Sequence, residues 1–117
     1  MRLRRHLPLA VAIGMCVASA AQAQQNWPTR PISMVVPFGA GSSSDTAARI
    51  IGARMSELLG QQIVVENTPG AGGMTGSARV TSAPPDGYMA SFASTDTIAI
   101  NQTMYKRPLY NSATDFT

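Results

Sequence analysis

The sequence predicts an α/β fold, a parallel sheet with flanking helices. Three observations carry it. Short apolar runs at Ile32–Val36, around Ile63-Val64-Val65 and at Tyr88–Ala93 have the near-continuous hydrophobicity of strands buried on both faces. A stretch of helical periodicity follows each run. A loop of small residues joins strand to helix each time, so a βα unit recurs at roughly 25–30 residue spacing. Right-handed crossovers place all three loops at one end of the sheet.

The N-terminus stands apart from that fold. Arg2, Arg4 and Arg5 precede an uncharged apolar run, Leu7 to Ala20, and Ala21-Gln22-Ala23 supplies a small-x-small cleavage pattern. These are the parts of a secretory signal peptide over residues 1–23, with the mature, exported chain starting near Gln24. The run is shorter than the ~20 residues a bilayer span needs.

The 117 residues hold 9 Lys+Arg against 6 Asp+Glu, a formal charge of +3. Alone, that balance points to nucleic acid or an anionic surface. Beyond residue 23, however, Arg30, Arg49, Arg54, Arg79, Lys106 and Arg107 are matched by Asp45, Glu57, Glu66, Asp86, Asp96 and Asp115. The mature part is formally neutral, and no nucleic-acid partner is expected. Cys16 and His6, the sole cysteine and histidine, also fall in the signal segment. A Ser-His-Asp triad, a cysteine nucleophile and a thiolate zinc site are therefore out of reach. No enzyme activity, cofactor or metal is expected, and backbone amides, hydroxyls and a few carboxylates are left to act.

The elements follow in order. After a polar lead-in with Trp27, Pro31 and Pro37 bracket the first strand. Phe38 to Ser44 is a Gly/Ser loop. From Ser44 onward Ala47, Ile51, Met55, Leu58 and Leu59 trace the stripe of an amphipathic helix. Ser42 and Asp45 resemble a capping box with Asp in the place of Glu, and Gly60 stands where a C′ glycine belongs. Gln62 to Glu66 reads as the second strand, Thr68 to Gly73 as a second glycine loop and Met74 to Ala83 as a short helix. Pro84-Pro85-Asp86-Gly87 is a turn. Tyr88 to Ala93 is the third strand, with Tyr88 and Phe92 in the core, then a hydroxyl-rich loop Ser94 to Thr97 and a helical signal at Ile98 to Met104. The chain stops at Thr117 with no returning strand, so residues 24–117 are expected to be the N-terminal piece of a larger protein.

Open α/β sheets bind ligands outside the carboxyl ends of their strands. Here two of the three loops there are runs of small residues leading into helix starts, where free N–H groups and the helix dipole favour an anion. None of the three holds Lys or Arg, which suits a carboxylate rather than a polyphosphate. Gly39-x-Gly41 also begins a G-x-G-x-x-G pattern, with Ser44 at the third glycine and Glu66 near the position of a ribose-binding acid. An exported nucleotide- or dinucleotide-binding enzyme is thus an alternative, and a truncated product that binds nothing is another. Read from the residues, Asp45 is foremost a helix-terminus carboxylate, and Asp96 stands between capping and ligand contact.

Trp27-Pro28-x-Arg30-Pro31-Ile32, Val35-Val36-Pro37-Phe38 with Gly41 and Asp45, Val64-Val65-Glu66-Asn67-x-Pro69-Gly70-Ala71-Gly72-Gly73 and Pro85-Asp86-Gly87-Tyr88 resemble the Bug/TctC family. These are the periplasmic solute-binding proteins of tripartite tricarboxylate transporters. Ala99-Ile100-Asn101, Tyr105-Lys106, Tyr110 and Asp115-Phe116 continue the likeness. The resemblance implies the N-terminal part of a two-domain, hinged binding protein of type II-like architecture. It would close on a small carboxylate or amino-acid-like ligand and deliver it to membrane subunits. In that family the first βα loop, the PGAGG loop and the loop after the third strand face the ligand. Carried over, this implies contacts from Phe38, Ala40, Gly41, Ser43, Asp45, Ala71, Gly72, Ser94, Thr95 and Asn101. Family members often have a second glycine where Ser42 stands and a basic residue where Thr68 stands.

Overall fold

The computed structural model describes residues 27–116, and residues 1–23, where a signal peptide is expected, lie outside the described residues. The elements run β1 (Ile32–Val36), α1 (Ser43–Leu59), β2 (Ile63–Asn67), a 3-10 turn (Ala71–Gly73), α2 (Met74–Thr81), β3 (Met89–Ser91), a π-helical turn (Asp96–Ile100) and α3 (Asn101–Met104). All three expected strands form, and both pairings are parallel. β1 is central, in the order β2-β1-β3, with Ile32 opposite Ile63 and Ser33 opposite Met89. The third strand is shorter than expected at both ends. The last helical segment starts earlier, with a π turn where a hydroxyl-rich loop was expected.

Side chains alternate across the sheet and so sort the helices. Ile32, Met34 and Val36 point to the same face as Ile63 and form one core cluster with Ala48 of α1, joined by Met55, Leu59 and Val65. On the other face Ser33 donates to Glu66 at 2.8 Å, and Arg79 of α2 pairs with the same carboxylate. α1 and α2 therefore cover opposite faces, as right-handed crossovers require. Tyr88 and Phe92 pack against the α1-side cluster, in keeping with their reading as core.

Two local expectations are corrected. Of the expected α1 stripe, Met55 and Leu59 pack on the core cluster, but Ile51 and Leu58 do not. Asp45, Ala48 and Gly52 are the buried positions, while Ile51 is 46% and Leu58 70% exposed. The reason is approach distance. A Cβ at Gly52 would lie 3.3 Å from Ile63 Cγ2, so a row of small residues lets the helix backbone close on β2. Of the capping box, only one half forms. Ser42 Oγ accepts from the Asp45 N–H at 3.2 Å, but the Asp45 carboxylate reaches past Ser42 to the Gly41 N–H.

At the amino ends of the strands, the N-terminal segment is stapled to the turn before β3. The Trp27 ring lies against Gly87, the Arg30 guanidinium stacks 3.9 Å over the Tyr88 ring and pairs with Asp86, and the Thr29 N–H donates to the Tyr88 hydroxyl. Two of the sequence blocks that carry the resemblance thus fold onto each other, at the pole opposite the loops.

Candidate functional site

The three loops leave the carboxyl ends of the three parallel strands and converge. Loop one follows β1 from Pro37 into α1. Its Phe38 ring edge lies 3.5 Å from the Cβ position of Gly73, and Pro37 is in contact with the same point. Loop two is held at its root by the Thr68 N–H, which donates to Val36 at 2.9 Å and extends the β1–β2 ladder. It then turns through four consecutive residues of positive φ, Gly70 to Gly73. Ala71 among them has φ 47, a left-handed conformation that costs a non-glycine residue ~1–2 kcal/mol. Gly73 admits no side chain, because a Cβ there would fall 2.6 Å from Thr97 Cγ2.

Loop three closes the group. The Thr97 hydroxyl donates to the Ser94 carbonyl at 2.9 Å and accepts the Ser94 N–H at 3.0 Å, a tight turn that sets the π-helical start. Thr97 is fully buried against Gly73, and Asn101 one turn on donates through Nδ2 to the Gly72 carbonyl at 2.9 Å. Loops two and three are thereby fastened to each other, and loop one packs on their junction.

The expected site residues divide accordingly. Phe38, Gly72 and Asn101 meet at this junction. Ala40, Gly41, Ser43, Ala71 and Thr95 lie exposed on the loop surfaces, and Ser94 is half-buried. Asp45 belongs to the same loop but is turned inward. Its Oδ2 accepts from the Gly41 N–H at 2.9 Å, and its Oδ1 from Asn67 Nδ2 at 3.0 Å and Arg49 Nε at 3.0 Å. Those donors hold the carboxyl below the usual range, the Gly41 amide foremost. Gly39, Ala40, Ser43, Ser44, Ala71 and Gly72 donate their N–H groups to no partner among the described residues. With no Lys or Arg on the loops, unspent amides are the positive end of this surface.

Three contributors were not among the expected site residues. Asn67 closes β2 and holds both Asp45 and the Phe38 carbonyl, the latter at 3.2 Å. Arg49 stands four residues beyond Asp45, a helical ion-pair spacing legible in the sequence. Tyr105 places its hydroxyl 3.2 Å from the Cβ position of Gly72, beside Asn101. No local pattern marks that tyrosine, since its approach depends on where α3 ends.

Glu66, the acid the dinucleotide reading relied on, is spent elsewhere. It faces α2, accepting from Ser33 and Arg79, which keep it below its ordinary range. Among the described residues no group of three or more His, Cys, Asp or Glu is placed to hold a metal ion. No described helix is long and apolar enough to cross a membrane.

Comparison with known proteins bears on the family and the fold. The family profile of TctC, the tripartite tricarboxylate transporter family receptor, matches residues 47–117. A protein encoded in the tcbD-tcbE intergenic region of Pseudomonas sp. (strain P51), a UPF0065 protein, is 42% identical over 114 residues, covering 97% of this chain and 34% of that protein. MatC of Rhodopseudomonas palustris, solved with bound malate, superimposes with a TM-score of 0.75 at 38% identity, over 78% of this chain and 31% of its own. Rpa4515 of R. palustris, solved with adipate, gives 0.72 at 39% identity, over 75% of this chain and 29% of its own. The chain spans about a third of the length of the curated relatives it matches. In fold and sequence, this chain belongs to the TctC family of tripartite tricarboxylate transporter receptors.

Proposed function

We propose that the chain is the N-terminal portion, residues 24–117, of the first domain of a periplasmic solute-binding protein. It captures a small carboxylate or amino-acid-like metabolite, without catalysis or cofactor, for the membrane subunits of a tripartite tricarboxylate transporter. Residues 1–23 are the export signal. The observation that carries the reading is the junction of three loops at the carboxyl ends of parallel strands, where the N–H groups of Gly39, Ala40, Ser43, Ser44, Ala71 and Gly72 have no partner among the described residues and no Lys or Arg lies in the loops themselves. Such a surface binds a carboxylate through amides, hydroxyls and water rather than by ion pairing, and a cleft closing over it completes the contacts. The malate and adipate in the two R. palustris structures are ligands of that chemical class.

A thermal melt of the purified chain with and without millimolar malate, adipate, citrate and glutamate tests this. A concentration-dependent rise in Tm with at least one carboxylate is expected. No shift with any of them, against a heat signal with NAD by calorimetry, would transfer the assignment to the nucleotide reading.

A further inference from the structure

We infer that Asp45 is a positioning residue, which sets the shape of the first loop and does not itself meet the ligand. The inference rests on the carboxylate reading above and departs from the resemblance, which places Asp45 among the contacts.

The argument starts from how the carboxylate is spent. Only 7% of the Asp45 side chain is exposed, and its two oxygens receive three N–H donors from three separate segments: Gly41 in the loop, Arg49 in α1 and Asn67 at the end of β2. Arg49 also donates through Nη2 to Asn67 Oδ1 at 3.2 Å, which closes a ring of three side chains. Asn67 Nδ2 is shared with the Phe38 carbonyl at 3.2 Å. The loop is therefore tied at both ends, at the Phe38 C=O by Asn67 and at the Gly41 N–H by Asp45. Just past the second tie, the Ser42 N–H donates back to the Gly39 carbonyl at 3.3 Å, and between the ties the Gly39 and Ala40 N–H groups have no partner among the described residues.

Only a group that accepts and never donates fits this place. An asparagine at 45 would bring an NH2 against at least one of the three donors, and a glutamate would carry its oxygens one methylene too far. The charge logic points the same way. An anionic side chain facing a carboxylate ligand repels it, whereas here the charge is turned inward and met by Arg49, the one charged group in contact with it among the described residues.

The test uses the uniformly 15N-labelled chain as wild type, D45N, N67A and the exchanged pair D45N/N67D. In the wild type the Gly41 amide resonance is expected to follow the ionisation of Asp45 between pH 2 and 6. In D45N it should lose that titration and exchange with solvent at least tenfold faster, with partial recovery in the exchanged pair. N67A, which frees one end of the loop, should raise exchange at Gly41 several-fold. A Gly41 resonance indifferent to pH and to D45N overturns the inference. Malate and adipate titrations supply the second arm: D45N should bind at least tenfold more weakly. Tighter binding would mean that Asp45 faces the ligand as a repelling charge, unchanged binding that the loop's ligand-binding shape does not depend on it, and either would overturn the inference. A wild-type chain that responds to neither acid counts against the carboxylate reading, and the Gly41 arm still decides the tether.

Discussion

The Asn101 side-chain amide donates to the Gly72 carbonyl across 2.9 Å, and both residues sit where two loops from different strands meet. Gly72 is exposed while Asn101 is 95% buried, so the bond ties a surface loop to a side chain packed inside. Removing the donor leaves a carbonyl and a buried gap. Asn101→Ala is expected to cost about 1–3 kcal/mol of stability, read from the denaturant midpoint. Asn101→Asp is expected to cost at least as much at neutral pH, since it sets a carboxylate against that carbonyl.

The glycines of the loops are not equivalent. Gly73 has φ 91 and would place a Cβ 2.6 Å from Thr97 Cγ2, whereas Gly39 has no atom within 4 Å of its Cβ position and no positive φ. Gly73→Ala is expected to lower stability by roughly 2 kcal/mol or more, from backbone strain plus the clash. Gly39→Ala should stay within ~0.5 kcal/mol of wild type by the same measurement. Equal effects at the two positions would contradict the loop geometry.

On helix α1 the buried and exposed faces make opposite demands. Ile50 is 68% and Leu58 70% exposed, while Ala48 is fully buried against the sheet. Ile50→Lys and Leu58→Lys are expected to change the stability of this chain by no more than ~0.5 kcal/mol. Ala48→Leu should cost about 1–3 kcal/mol, because the added atoms have no room between helix and β1. Thermal melts of the three variants separate the two faces.

That helix also shows what a sequence can and cannot reveal here. Hydrophobic runs bracketed by Pro31 and Pro37 are local, and β1 formed where they said. The Gly60 cap is local too, and its left-handed φ of 66 is where the helix ends. The face of α1 was partly misread because periodicity weighs hydrophobicity, whereas close packing on β2 selects small residues such as Ala48 and Gly52. The site divides on the same line. Glycine loops at one sheet end follow from topology, whereas Phe38, Gly72 and Asn101 were grouped only through the family resemblance. The inward turn of Asp45 depends on Asn67, 22 residues away, and the approach of Tyr105 on the end of α3. Neither leaves a local trace.

Acid should unfold the chain by a route these contacts define. Asp45, Glu66 and Asp115 are all held below their ordinary ranges, the first by the Gly41 amide, the second by Ser33 and Arg79, the third by the Asn111 amide. A carboxyl whose folded pKa is depressed contributes stability that is present above its unfolded pKa, about 4, and is lost as pH falls through its folded value. The denaturant midpoint is therefore expected to be level from about pH 5 to 7 and to fall steeply below about pH 4. Glu66→Gln should lower the midpoint at pH 7 and flatten the acid limb, because the group whose protonation weakens the fold is gone. Part of that contribution comes from Arg79, which is 44% exposed, so raising the salt to about 1 M should shrink the difference between Glu66→Gln and wild type at pH 7. A midpoint that does not move between pH 7 and pH 3 would mean that these carboxylates are no better held in the folded chain than in the unfolded one.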